Sequence, residues 1–298
     1  MKIAFVFSHA HKSAWSTPGG LAEAIRIANH EVDFYDLQKP EEVLEVSHHH
    51  SKYDAVCLWE AGTISKEVEK IWHKDNFKST LMLAESGDDP QIFRYNLQHT
   101  LPADVVITPD NDACEQYKRI GKNAYWLTHW GDESVWKFCT HKDTGRISTS
   151  AGPRPGMWND LMQLLLSKFP NVFYNPRIQG GQYVSVEENV KLYDNSDVVV
   201  QVSSNKEITR RLFEASICGR VVVTDRLSAS KKLKECLIED EHILLYDTPE
   251  ECVDKVQELL KDSERRKKIS DSAYRHVLEN HSSSARAKQL IEIIKQNI

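Results

Sequence analysis

Between Ser203 and Arg226 the sequence reads SSNKEITRRLFEASICGRVVVTDR. An apolar run ends in small polar residues, Arg210, Arg211 and Glu214 follow at helical spacing, Gly219 closes the helix, and a second apolar run begins. Ser203, Ser204 and Asn205 are the expected N-caps. A helix that starts at the carboxyl end of a parallel strand presents unpaired N–H groups and the positive end of its dipole, which suits a diphosphate. Lys206, Arg210 and Arg211 would add charge there, and Glu214, an acceptor-only carboxylate, suits the two hydroxyls of a ribose. The same spacing also fits a surface helix whose Arg and Glu make exposed ion pairs of little value.

Other residues with chemical potential stand at the ends of apolar runs. Asp88 and Asp89 follow one such run, and His9, His11, Glu60 and His129 each follow another. Carboxylates and imidazoles there can accept a proton, or can simply cap a loop. The loop SAGPRPGMW, Ser150 to Trp158, has glycines that let backbone approach a ligand and an Arg154 able to meet phosphate, although Pro153 and Pro155 also fit an ordinary turn. Trp15, Trp59 and Trp130 could stack on a sugar or fill a core. Gln179, Gly180, Gly181 and Tyr183 could meet a base, and Tyr193 fits a core as well as a base stack. His48-His49-His50 reads as a solvated loop, since no Cys or carboxylate pattern completes a metal site. No metal site and no organic cofactor are expected, and no G-x-G-x-x-G follows the first apolar run.

The elements that must position these residues recur in order. Strand-like runs begin at Lys2, Glu31, Tyr53, Ser79, Ala103 and Asn123, then at Arg146, Asn171, Asp197, Arg220 and His242. Several are continuous Val, Ile and Leu rather than alternating, as in parallel sheets covered on both faces. Helices are expected near 18–29, 65–74, 90–99 and 111–120, then near 157–168, 187–195, 207–218 and 227–238. That alternation predicts an α/β chain of two Rossmann-like doubly wound domains facing a cleft, 1–140 and 141–298, with a linker within His129–Gly145. The segment from Thr248 is expected to be a helical tail that starts at TPEE and carries Ala285, Leu290, Ile293 and Ile294 on the apolar face of its last helix.

The 298-residue length accommodates two such domains. The net charge of −6 is uneven: residues 1–140 carry 14 Lys and Arg against 21 Asp and Glu, and residues 141–298 carry 24 against 23. That disfavours duplex nucleic acid as a partner. No apolar run reaches the roughly 20 residues of a membrane span, and the opening has no cleavage region, so a cytoplasmic location is expected. Cys57, Cys114, Cys139, Cys218, Cys236 and Cys252 show no paired spacing and read as reduced, mostly buried thiols.

The run RRLFEASICGRVVVTDRL and the sequence after it resemble the carboxyl-terminal domain of nucleotide-sugar glycosyltransferases of the two-Rossmann-domain (GT-B) type. The likeness is strongest to the spore-maturation-protein-like branch of the group-1 enzymes. Arg211, Phe213, Glu214, Ala215, Cys218, Gly219, Thr224, Asp225, His242 and His281 stand at matching places. ESGDDPQIF and the run leading to HWGDESVW resemble the branch more loosely in the first half. In related enzymes two glutamates with seven residues between them frame the donor; Glu214 matches the second, and Lys206 stands where the first is expected.

The resemblance implies a metal-independent, hexosyltransferase-like enzyme with a nucleotide-diphosphate sugar, UDP-glucose or a related UDP-sugar, as donor. The implied donor contacts are Gly19, Gly20, Arg154, Lys206, Arg210, Arg211 and Glu214, with Gly19 and Gly20 in a first loop just before a helix. Asp88, Asp89 and His9 are then candidate catalytic groups, and Trp15, Trp59 and His129 candidate contacts to an acceptor carbohydrate, polymer or modified base. A non-hydrolysing nucleotide-sugar epimerase and a non-catalytic nucleotide-sugar-binding protein are the alternatives.

Overall fold

A computed structural model describes residues 1–8, 17–89, 91–149, 157–174, 185–203 and 205–298, with side chains omitted at Thr17, Met157, Trp158 and Tyr174. His9, His11, Trp15, Arg154, Ser204 and the loop residues Gln179 to Tyr183 lie outside the described residues. The first elements are β1 (Lys2–Phe7), α1 (Thr17–Ile27), β2 (Glu31–Asp36), α2 (Pro40–His48), β3 (Ala55–Leu58), α3 (Lys66–Ile71), β4 (Leu81–Glu85), α4 (Phe93–Thr100), β5 (Val105–Thr108), α5 (Asn111–Arg119) and β6 (Asn123–Trp126). They are followed by β7 (Ile147–Thr149), α6 (Met157–Lys168), β8 (Val172–Tyr174), α7 (Val186–Asp194), β9 (Val198–Gln201), α8 (Arg210–Ile217), β10 (Val221–Asp225), α9 (Leu233–Cys236), β11 (Ile243–Tyr246), α10 (Pro249–Lys261), α11 (Ser263–Asn280) and α12 (Ser283–Asn297).

The chain divides into two compact units, Met1–Thr128 with Ser283–Ile298, and His129–Ser282. The first holds a parallel six-stranded sheet of order β2-β1-β3-β4-β5-β6, the second a parallel five-stranded sheet of order β11-β10-β9-β7-β8. Both sheets wind outward in two directions from their first strand. The order therefore reverses between β1 and β3 in one unit and between β7 and β9 in the other, the place where such folds bind ligands beyond the strand carboxyl ends.

The continuous apolar runs become strands buried on both faces: every residue of β3, β4, β5, β9, β10 and β11 is buried. Val6, Leu58, Met82 and Trp72 share one core, and Val200, Val223, Leu161 and Val256 share the other. Local chemistry starts the helices. Ser65, Asp110 and Thr248 accept bonds from the first turns of α3, α5 and α10, and Ser185 and Glu188 form a capping box on α7.

Several expected details differ. A helix, α2, runs into the triple histidine; its signal was Pro40 at the first position and Glu41 and Glu42 in the first turn. His48 ends that helix, and His50 Nδ1 lies 2.9 Å from Thr80 Oγ1. The helix expected at 227–238 is reduced to α9 and a preceding 3-10 turn, because Lys232 takes a left-handed conformation between them. Gly19 and Gly20 lie inside the first turns of α1 rather than before it.

The last helix packs with the first unit. Leu290 and Ile294 of α12 are fully buried, the helix lies against α1, and the Arg286 guanidinium, 2% exposed, donates to Thr128 O at 3.0 Å. The expected division at residue 140 thus differs from the observed units at both ends of the second one. Residues 129–145 belong to the second unit, where Trp136 packs on Tyr193 at 5.5 Å. Tyr193 is fully buried, which makes it a core residue rather than a base-stacking group.

Candidate functional site

In the second unit β9 and β10 end side by side, Gln201 facing Thr224, and their loops are joined by one buried carboxylate. Asp225 accepts from Ser203 N at 2.6 Å through Oδ1 and from Lys206 Nζ at 2.9 Å through Oδ2. Ser203 Oγ also bonds the Glu207 backbone at both its N–H and its carbonyl, and Lys206 stands in the left-handed region at φ 53°. The helix consequently starts later than the sequence suggests: its N-cap is Thr209, not Ser203 or Asn205. Thr209 makes no capping bond because its hydroxyl accepts from Gln201 Nε2.

Arg210 and Arg211 are therefore the first two residues of α8, where backbone N–H groups have no intrahelical acceptor. Arg211 is half-buried and makes no hydrogen bond or ion pair among the described residues. Glu214, one turn on, is 5% exposed; its Oε1 stands 2.7 Å from Arg210 Nε as an ion pair but accepts no hydrogen bond. A guanidinium, the first-turn backbone N–H groups and a buried acceptor carboxylate thus share one helix just beyond the carboxyl end of β9, the strand that flanks the reversal. The arrangement can hold a phosphate and a diol together.

The far end of α8 explains the other residues of the motif. Gly219 N donates to Ser216 O and Arg220 N to Ala215 O, a Schellman closure with Gly219 at φ 68°. A Cβ on Gly219 would stand 2.6 Å from the Phe138 ring, so glycine is required there twice over. Behind the helix, Phe213 stacks on His281 at 5.1 Å, His281 meets His276 at 5.3 Å, and His276 stacks on His242 at 4.2 Å. Burial holds the His242 imidazole below its ordinary value, and its Nδ1 accepts from Ile238 N. This column of rings fixes the inner face of α8 and so the direction of Glu214.

In the first unit the carboxyl ends of β3 and β4 carry two further left-handed residues, Glu60 (φ 61°) and Asp88 (φ 54°). Left-handed non-glycine residues cost on the order of 1 kcal/mol each and cluster at functional loops. Asp88 is exposed and its carboxylate has no partner among the described residues. Asp89 is fully buried, accepting from Asn96 Nδ2 and Thr108 Oγ1, each at 3.1 Å, and so ties the loop to α4 and β5. Its surroundings suit it to positioning Asp88 rather than to meeting a substrate. Trp59 is 3% exposed and stacked on Phe5 at 5.9 Å, which makes it core and not a surface for an acceptor. His129 is half-buried at the start of the second unit and is already engaged.

Glu85, which the sequence reading passed over, ends β4 beneath this loop and accepts from Glu60 N at 3.1 Å. Burial pushes its carboxyl up to about 8 and, despite its hydrogen bonds, that of Asp89 up to about 6. Both pKa values are raised on folding, so the folded chain keeps protons that the unfolded chain releases. Their stability contribution is full below about pH 4 and is lost as the pH rises to about 8. Glu85→Gln should flatten this decline, with an advantage on the order of a few kcal/mol over the parent above pH 8. Urea unfolding at pH 5 and pH 9 checks it; equal slopes in parent and variant would refute the assignment.

Among the described residues no group of three His, Cys, Asp or Glu stands close enough to hold a metal ion, and no helix is long and apolar enough to cross a membrane. A family profile described as glycosyl transferase-like matches residues 141–292, half of the chain and the unit that contains α8. The chain belongs to the glycosyl transferase-like family.

No curated protein matches this glycosyl transferase-like chain by sequence. Its fold is that of several solved GT-B structures. Sucrose-phosphate synthase from Thermosynechococcus elongatus aligns at TM-score 0.66 and 12% identity over 99% of this chain and 98% of that one. Anabaena HepE, solved with UDP-glucose, aligns at 0.69 and 12% over 99% and 100%. The catalytic domain of Arabidopsis thaliana starch synthase IV, bound to ADP and acarbose, aligns at 0.70 and 8% over 100% and 99%.

Proposed function

We propose that this glycosyl transferase-like protein moves a hexosyl group from a UDP-sugar to an acceptor hydroxyl, the second unit binding the donor and the first the acceptor. The observation that carries the reading is the start of α8, where Arg211, without a partner among the described residues, and buried Glu214 stand one turn apart. Arg211, the first-turn N–H groups and Arg210 take the diphosphate, and Glu214 takes the ribose hydroxyls. A GT-B structure with UDP-glucose bound supports a uridine donor. We place the chain in the spore-maturation-protein-like branch on Asp88-Asp89-Pro90 and the run from Arg211 to His281.

The chemistry follows from these groups. The acceptor oxygen attacks the anomeric carbon, its proton passes to Asp88, and the bond to the leaving diphosphate breaks as Arg210, Arg211 and the helix dipole take up the developing charge. In this scheme the charge is neutralised by side chains and backbone rather than by a metal. Lys206, held against Asp225, replaces an anionic side chain near the donor sugar with a neutralised pair.

A thermal-shift titration with UDP, GDP, ADP, CMP and TDP tests the donor site. UDP at a hundred times its dissociation constant should stabilise the chain by about 2.7 kcal/mol, a shift of several degrees. Arg211→Ala should weaken UDP by roughly tenfold, the loss of one charged hydrogen bond. Stabilisation by none of the nucleotides would remove the reading.

A further inference from the structure

Cys139 and Cys218 stand far apart in sequence and meet at the carboxyl end of α8, where Cys139 N–H donates to Cys218 O at 3.2 Å. Cys218 is fully buried; Cys139 is half-buried and flanked by exposed Phe138 and Thr140. The Cys139 thiol donates to Lys137 O at 3.3 Å, which leaves its sulfur lone pairs to receive other donors. Two are at hand. The backbone bond to Cys218 brings that second thiol alongside, and the Arg220 guanidinium, donating to the carbonyl of adjacent Thr140, is held in the same neighbourhood.

Arg220 is 1% exposed, and its Nη2 donates to Thr140 O and, at longer reach, to Asp194 O. Its Nε makes no hydrogen bond, a costly condition for a buried cation. The Asp194 carboxylate faces this charge at 4.0 Å, and a thiolate at Cys139 would add to that compensation. The contact with Cys218, followed by the charge of Arg220, holds the Cys139 thiol below its ordinary value, while Asp194 opposes this and is itself paired with Lys142 at 3.1 Å. The same contact, together with burial, raises the Cys218 thiol. An accessible, cation-supported sulfur next to a second, buried one is the arrangement of a reactive and a resolving cysteine.

We propose that Cys139 and Cys218 are a peroxide-sensitive thiol pair that closes a reversible disulfide across the carboxyl end of α8. The Cys139 thiolate attacks one oxygen of hydrogen peroxide and the O–O bond breaks. One hydroxyl stays on sulfur as a sulfenic acid, and the other leaves with a proton as water. The Cys218 sulfur then attacks the Cys139 sulfur, the S–O bond breaks, and the departing hydroxyl leaves as a second water with the Cys218 proton. Two thiols and one peroxide thus give one disulfide and two waters, and a dithiol reductant reverses the change. The bond would fasten the segment after Trp136 to the helix whose opposite end carries Arg211 and Glu214.

The experiment reads chemistry rather than sugar transfer, so it stands apart from the donor-site assignment. The full chain is treated with hydrogen peroxide, alkylated with N-ethylmaleimide and digested for mass spectrometry. The expected result is loss of two hydrogens, four of the six cysteines alkylated, a Cys139–Cys218 linked peptide, and full recovery of thiols with dithiothreitol. In Cys218→Ser, Cys139 should stop at the sulfenic acid and be captured by dimedone, several-fold more than in the parent. The pH midpoint for Cys139 alkylation should lie below the roughly 8.5 of a free cysteine, and Arg220→Gln should raise it. Six intact thiols after peroxide, linkage through another cysteine, or equal dimedone capture in parent and Cys218→Ser would overturn the proposal. If Arg220→Gln does not fold, the parent and Cys218→Ser decide.

Discussion

Glu214→Ala is expected to abolish detectable UDP binding while leaving the chain folded. The carboxylate is buried, its Oε1 accepts no hydrogen bond among the described residues, and its ion-pair partner there is Arg210 at 2.7 Å. Two ribose hydroxyls donating to an ionised acceptor contribute about 1.5–3 kcal/mol each, so the affinity should fall at least a hundredfold. Alanine also removes the ion pair with Arg210, but Arg210 is partly exposed and can reach water, which limits the cost to stability. Glu214→Gln retains one acceptor oxygen and should fall between the two. Calorimetric titration with UDP, with circular dichroism as the folding control, checks this; a dissociation constant within threefold of the parent would remove Glu214 from the donor site.

Asp88→Asn should lower the transfer rate by about 10²–10⁴ at nearly unchanged UDP affinity, the effect of losing a positioned proton acceptor. The substitution is chosen for the backbone. Asp88 sits at φ 54°, a conformation that asparagine adopts as readily as aspartate and alanine does not, so the loop keeps its shape while the carboxylate is lost. Asp89→Asn is a different experiment, because Asp89 accepts from Asn96 and Thr108 in a buried site and its loss should show first as lower stability. Turnover of the Asp88→Asn protein equal to the parent in a UDP-release assay, with any acceptor the parent uses, would exclude Asp88 as the base.

The sequence by itself determined the strands, the α/β class and the family. Runs such as VVIT and VVVTD open on three consecutive apolar residues rather than alternating ones, which suits a sheet covered on both faces, and β5 and β10 stand where those runs lie. Arg211, Glu214 and Gly219 were legible for the same reason: helix spacing and a left-handed closure are local properties. The start of α8 was not legible, since Ser203, Asn205 and Thr209 are all good N-caps on local grounds. What selects Thr209 is Asp225, which captures Ser203 and Lys206 from the neighbouring strand.

Contacts between distant segments decided the rest. An amphipathic helix states that it must be covered and not by what, so α12 could be assigned to the first unit only once Arg286 was seen on Thr128 and the helix against α1. Trp59 carries the same residue type whether it stacks on a sugar or on Phe5. Likewise Glu85 acquires its raised carboxyl from burial, and Cys139 its lowered thiol from Cys218 and Arg220, residues distant in the sequence. Hydrophobic periodicity is written in neighbouring residues, whereas desolvation and pairing belong to residues that only folding brings together.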